Sequence, residues 1–310
     1  MARSSFLQAI LVWGTIILLG QSQAARASAV PFTFVDNRMT IQCRINGAGP
    51  FTMIVDTGAP DVTIDSKIAT QLGVRVHAAG STIGAGNKPV LIGATQLRSL
   101  TVGETSFTDV AASVIDLSEI RTKLGFPRLD GVVGYTVMRR YAVVVDNDAH
   151  TISLDAERPP TPESATTTAF TGVIPSVAAT IDGIPTTVII DTGDRSSLTL
   201  FGPFAKEHKF YDRFPATSTI VTGYGIGGPV YGQVFTLPSL AVFGRQLSGV
   251  VTRASRQTGG VFTATQQGGS IGEGVLKRFD IIYDYPKKEI VAWPSKYFAR
   301  SDRFVPPGQT

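Results

Sequence analysis

A tripeptide that occurs twice constrains this chain more than any other feature. Phe51-Thr52-Met53-Ile54-Val55-Asp56-Thr57-Gly58-Ala59 carries an apolar run straight into Asp-Thr-Gly, and Thr187-Val188-Ile189-Ile190-Asp191-Thr192-Gly193 does the same in the second half. A β-forming run of this kind delivers a carboxylate to the end of a buried strand. The glycine, free of a Cβ, then turns the backbone tightly. One copy alone reads as a strand followed by a turn. Its repetition in matched surroundings carries the information.

The surroundings do match. Ile45-Asn46-Gly47 is echoed by Ile181-Asp182-Gly183, and the glycine-rich stretch Gly80–Asn87 by Gly223–Gly228. Val132-Val133-Gly134 is echoed by Ser270-Ile271-Gly272. Asp56 to Gly134 spans 78 positions and Asp191 to Gly272 spans 81; Tyr141 and Phe279 each follow their glycine by 7, Asp146 and Asp284 by 12. Agreement over several landmarks is an internal duplication, and so long a period means two related domains, not a solenoid. Glycine and β-branched residues with turn signals at short intervals point to an all-β fold. The expected division is a first lobe over 30–157, a linker over 158–167 containing Pro159-Pro160-Thr161-Pro162, a second lobe over 168–298, and a loose tail over 299–310.

Within the first lobe, Met39–Ile45 alternates as a half-buried strand does. Asn46-Gly47 reads as a hairpin turn. Asp65-Ser66 caps a short expected helix over Lys67–Leu72, with Gly73 as its stop. Further strands are expected over Val90–Ile92 and Leu97–Val102, a helical piece around Tyr135–Arg140, and a hairpin from Tyr141–Asp146 to Thr151–Leu154.

Arg3, the apolar stretch Phe6–Gly20 and Ala27-Ser28-Ala29 fit a secretory signal peptide over residues 1–29 cleaved near Ala29, which implies a periplasmic or secreted protein. The formal charge is +4; without Arg3 and Arg26 it is about +2, which is no nucleic-acid signature. No later stretch is long and apolar enough to span a bilayer, so no membrane association is expected after cleavage. Lys277-Arg278 and Lys287-Lys288 read as solvated turns. Cys43 is the only cysteine, so no internal disulfide exists and Cys43 reads as a small core residue. His77, His150 and His208 lack metal-ligand spacing and read as structural or surface residues.

Two lobes that each offer an aspartate at a strand end suggest a shared site on a pseudo-twofold axis. Like charges at contact distance do not both ionise, so the pair holds one proton. One carboxylate then serves as general base toward a water while the protonated one polarises a carbonyl. No metal, cofactor or covalent nucleophile is needed. Thr57 and Thr192 suit the interface between the lobes, where a hydroxyl can bond across to the partner loop. Gly58 and Gly193 can present backbone N–H groups to the carboxylates. The Val132–Gly134 and Ser270–Gly272 stretches are expected to pack behind the two loops.

These residues make the chain resemble the bilobed aspartic proteases of the pepsin and retropepsin superfamily, of the short, disulfide-free bacterial type. The resemblance rests on Asp56-Thr57-Gly58-Ala59, on Asp191-Thr192-Gly193 and on the downstream apolar-apolar-Gly stretches. It covers nearly the whole chain after the leader. It implies two β-barrel lobes with a peptide cleft between them, Asp56 and Asp191 as the catalytic dyad of an endopeptidase, and flaps that close over a polypeptide substrate; a monomer is expected. Gly84 and Gly86 in the first glycine-rich tip, and Tyr224 and Gly225 in the second, are the flap candidates. The second copy departs from the family at Asp194, expected to be a surface carboxylate paired with its neighbour Arg195. A pepsin-like flap tyrosine belongs to the first lobe, whereas here Tyr224 stands in the second. A non-catalytic peptide-binding module is the alternative that keeps the same lobes and cleft. A glycoside hydrolase also uses two carboxylates but requires neither the threonine and glycine beside each acid nor the duplication, and ranks well below.

Overall fold

The computed structural model describes residues 28–214 and 218–309; of the expected signal peptide, only Ser28 and Ala29 fall among them. The fold is all-β, built from three sheets. An eight-stranded sheet belongs to the first lobe and a seven-stranded sheet to the second, and each curls so that extra pairings connect strands distant in the order. The third sheet has six strands, three from each half.

In the first lobe, strand Arg38–Ile45 turns at Asn46-Gly47 into Ala48–Val55, the strand that ends at Asp56. Asn46 and Gly47 both take positive φ (53° and 83°), as do Asp182 and Gly183 (48° and 82°) at the matching turn of the second lobe. Two positive φ values in succession make the tight hairpin turn whose twist suits the flanking strands. Met39, Ile41, Cys43 and Ile45 face inward and are buried, as period-two alternation requires. Burial pushes the Cys43 thiol up to about 12, as fits a small core residue.

Asp65 caps the helix Ser66–Gln71 by accepting from Lys67 N at 2.9 Å, and Gly73 follows at positive φ. One expectation changes: Val90–Val102 is a single thirteen-residue strand, not two pieces. It runs antiparallel to Thr105–Ile115 from Gly93↔Val114 to Val102↔Thr105, and this continuous ladder carries the backbone through Gly93–Gln96.

The third sheet joins the halves. Strands Val30–Pro31, Thr151–Asp155 and Ala142–Asp146 abut Phe279–Asp284, Glu289–Pro294 and Thr166–Ala169. At the seam Ala142–Val145 pair antiparallel with Asp284–Ile281, Val144 lying opposite Ile282. The hairpin expected to finish the first lobe therefore continues into the second. Strand Thr166–Ala169 also takes the last two residues of the expected linker. Arg158 at the linker's start pairs with Glu289 at 2.5 Å and lies 3.7 Å from Asp284.

The apolar core is continuous from barrel to barrel through this sheet, with Phe51, Met53, Ile64 and Leu97 on one side and Leu200, Phe210, Phe243 and Phe279 on the other. Each such side chain contributes about 1.5–3 kcal/mol by leaving water. The tail, expected to be loose, is held at several points: Val305 and Pro306 carbonyls accept from Arg195, and the Asp302 carboxylate accepts from Val251 N at 2.9 Å. Lys277-Arg278 is likewise not a solvated turn. It joins the buried helix Glu273–Leu276 to strand Phe279–Asp284, and Arg278 is only 6% exposed.

Candidate active site

Each aspartate stands where a strand gives way to a turn, and a second strand props that turn from behind. Ala48–Val55 pairs in parallel with Gly131–Val133, and Asp56 N donates to Val133 O at 3.0 Å. Ile184–Ile190 pairs in parallel with Gly269–Ile271, and Asp191 N donates to Ile271 O at 3.0 Å. Past these props, Tyr135 N donates to Ala59 O at 2.9 Å and Glu273 N to Asp194 O at 2.8 Å. The stretches ending in Gly134 and Gly272 thus sit behind the aspartate loops, as expected.

The loops lock to one another through their threonines. Thr57 Oγ1 donates to Ile190 O at 2.7 Å and accepts from Thr192 N at 3.0 Å; Thr192 Oγ1 donates to Val55 O at 2.7 Å and accepts from Thr57 N at 3.0 Å. Both threonines are 1% exposed, so each lost bond would leave a buried partner unsatisfied.

Gly58 N donates to Asp56 Oδ1 at 2.8 Å, and Gly193 N to Asp191 Oδ1 at 2.9 Å. A Cβ on Gly58 would lie 2.6 Å from the Asp191 carboxyl carbon, and one on Gly193 would lie 2.4 Å from that of Asp56. Each carboxyl therefore occupies the space that any side chain on the opposite glycine would need. This reciprocity brings Asp56 and Asp191 together on the axis.

Burial raises the Asp56 carboxyl above its ordinary range, partly offset by its bond to Asp191. The Asp191 carboxyl is pushed well above its range by burial, then by the Asp56 charge, then by Asp194. Of the two, Asp191 is the more strongly raised.

Asp194 is neither on the surface nor paired with Arg195. It is 5% exposed and meets Arg253 Nη2 at 2.9 Å, while Ser196 N and Thr199 Oγ1 donate to it at 3.0 and 2.7 Å. Burial alone would raise its carboxyl, but Arg253 and these donors outweigh burial and hold it below the usual range. Arg195 instead reaches Asp36 at 2.9 Å, and Arg38 pairs with the same carboxylate. Arg38 Nε also donates to Gly193 O at 2.7 Å, tying the second loop to the first lobe. Both corrections have one reason: folding brings Arg253 and Asp36 to the loop, and these neighbours in sequence each take a different one.

The flap candidates meet over the dyad. The tip between strands His77–Thr82 and Val90–Val102 touches the turn between Ile220–Gly225 and Gly228–Val242, with Gly86 N donating to Ile226 O at 2.9 Å and Lys88 N to Gly227 O at 3.1 Å. A Cβ on Gly86 would lie 2.1 Å from the Gly227 carbonyl carbon. Each tip crosses to the other lobe: Ala85 packs with Phe201, Val230 and Phe262, whereas Tyr224 and Ile226 pack on the first-lobe cluster of Leu117, Leu124 and Leu129.

A third loop, which sequence reasoning missed, fastens the first tip. Gln257 Nε2 donates to Ala85 O at 2.8 Å, Val261 N to Gly84 O at 3.0 Å, and Gly259 N to Asn87 Oδ1 at 3.0 Å. The one available signal was Gly259-Gly260, a turn mark with no counterpart in the first lobe. Beneath this roof is a cavity of about 500 Å³ bounded by Asp56, Asp191, Ile83, Tyr224 and Ile226. A volume of that order suits a ligand of several residues or a drug-sized molecule.

Residues 41–137 match the aspartyl protease family. Among solved structures, the chain is similar to the aspartic proteinase from Irpex lacteus, with a TM-score of 0.54 and 13% identity over 89% of this chain and 100% of that one. No curated protein matches it. The described residues thus take the two-lobed fold of an aspartic proteinase, and residues 41–137 are similar to the aspartyl protease family.

Proposed function

We propose that this protein is an aspartic endopeptidase that hydrolyses polypeptides with a water activated between Asp56 and Asp191. The observation that carries the reading is the reciprocal packing of each carboxyl against the other loop's glycine. It fixes two acids face to face, the arrangement in which one is ionised and one protonated.

Asp56, the less raised of the two, takes a proton from the water as it attacks the scissile carbonyl. Protonated Asp191 donates to the carbonyl oxygen as charge develops there. The proton gained by Asp56 then passes to the leaving nitrogen as the C–N bond breaks, and Asp191 takes a proton back from a hydroxyl of the gem-diol as the carbonyl re-forms. The threonine lock holds both acids still through these steps, which is where such a site gains over water. The tips joined over the cavity enclose substrate and exclude bulk solvent, so substrate enters with them apart.

We propose further that the protein acts outside the cytoplasm. The apolar run Phe6–Gly20 followed by Ala27-Ser28-Ala29 supports export.

The test is cleavage of an unfolded polypeptide across a range of pH by the wild type and by Asp56→Asn and Asp191→Asn. Each variant should fold with an unchanged far-UV spectrum and lose about 10²–10⁴-fold in turnover. Full turnover in either one removes it from the dyad. A wild type that binds peptide and cleaves none at any pH is a binding module instead.

A further inference from the structure

A second cavity, of about 450 Å³, lies beside residues 195–197 of the second aspartate loop, between the second lobe and the C-terminal segment that crosses it. Its charges are unevenly matched. Of the cations lining it, Arg195 and Arg253 are paired with Asp36 and Asp194. Lys277, Arg278, Arg300 and Arg303 have no ion-pair partner among the described residues. Arg278 is 6% exposed, and its side chain has no hydrogen-bond partner among the described residues either. Lys277 reaches only a neutral acceptor, the Asn37 amide oxygen, at 2.6 Å.

The carboxylates nearby reduce this excess without cancelling it. Asp302 is the one that lines the cavity, and its two oxygens already accept from Val251 N at 2.9 Å and Arg303 N at 3.0 Å. Glu273 bears on Lys277 from beneath, but burial pushes its carboxyl up to about 8, so at lower pH it is mainly neutral. Burial depresses the Lys277 ammonium; the charges of Glu273 and Asp302 oppose that effect, and those of Arg300 and Arg278 add to it.

A guanidinium that faces a cavity without a counter-charge offers an anion there both charge and hydrogen bonds. The planar fork of arginine matches the oxygens of a phosphoryl group two at a time. We propose that this cavity binds a small phosphate-class dianion, with Arg278 and Lys277 at its base and Arg300 and Arg303 at its mouth. Tyr297, Phe304 and His150 line the remaining wall and give an organic phosphate an apolar face to lie against. The recessed position of Arg278 favours a free phosphate over a headgroup that stays in a membrane. Arg253 lines both this cavity and the cleft, so an occupant here lies one ion pair from Asp194.

The test is titration of the full chain with inorganic phosphate at fixed ionic strength, followed by calorimetry and thermal unfolding. Wild type should show saturable one-site binding and a rise in Tm that sodium chloride of equal ionic strength does not produce. Arg278→Gln should weaken binding at least tenfold. The double variant Arg300→Gln/Arg303→Gln changes exposed side chains only, so it reports on the site whether or not Arg278→Gln folds; it too should weaken binding at least tenfold. Phosphate no more stabilising than chloride, or an unchanged affinity in the double variant, overturns the proposal. So does binding to phosphatidic acid vesicles that free phosphate does not compete away. None of these readouts needs peptidase activity, so failure here and failure of the dyad assignment are separate results.

Discussion

After Asp56-Thr57-Gly58 the chain continues as Ala59-Pro60-Asp61, partly or fully exposed at the cleft edge; after Asp191-Thr192-Gly193 it continues as Asp194 and Arg195, both buried. In front, the loops are equivalent: the same glycine contacts, the same threonine bonds within 0.1 Å, the same prop from a parallel strand. Behind, the first leads to solvent, whereas the second leads into two buried ionic clusters, Asp194 with Arg253 and Asp36 with Arg195 and Arg38. The duplicated part of the site is thus fixed by the twofold. Its asymmetry is electrostatic: the Asp194 charge adds to burial and to Asp56 in raising Asp191.

The comparison breaks most sharply at Asp194. Asp194→Asn leaves Arg253 buried without its counter-charge, a loss of about 3–5 kcal/mol, measured by denaturant unfolding at neutral pH. The sign with pH follows from the depressed carboxyl: its contribution is complete above 3.8 and is lost as pH falls through the lower folded-state value, so variant and wild type converge in acid. The same substitution removes one of the negative charges that raise Asp191. The alkaline limb of the pH–rate profile should therefore move to lower pH. An unmoved limb would mean that Asp194 does not set the proton's position.

The flaps give the next effect. Gly86→Ala puts a methyl group where the Gly227 carbonyl stands, which forces the tips apart. With the reacting groups left displaced, kcat/KM should fall about 10²-fold while Tm changes little; full activity would show that the roof need not close in this geometry. The smallest effect concerns the threonines. Thr57→Val and Thr192→Val each remove one hydroxyl from the lock and should each cost about 1–3 kcal/mol. Their near-equality is the sharp part, because unequal losses would mean that the asymmetry behind the loops reaches the lock itself.

Much of this was legible because duplication acts as an internal alignment. Spacings of 7 and 12 from Gly134 and Gly272 located the strands that later met at Val144 and Ile282, although nothing local announced that they would pair with each other. The Asn46-Gly47 and Asp182-Gly183 turns and the Asp65 cap were readable because backbone chemistry at a few residues decides them. What escaped was partner choice over long separations. Asp194 and Arg195 stand together in sequence, which suggested a pair, yet each found an arginine or aspartate brought near by folding, 59 and 159 positions away. The loop at Gln257–Val261 escaped for a related reason. It has no twin in the first lobe, so the duplication could not point to it.

The six-stranded sheet shared by the halves has a consequence for how such a chain tolerates being divided. Main-chain hydrogen bonds between Ala142–Val145 and Ile281–Asp284 already do what a subunit interface does in a symmetric dimer. The proline-rich connection after Arg158 adds covalent continuity and sets the local concentration of one half relative to the other. Severed there, the halves retain complementary edges, the reciprocal threonine lock and one aspartate each, so the site is a property of their association. The chain is arranged as a tethered pair of lobes, with buried charges from both gathered behind the second aspartate loop.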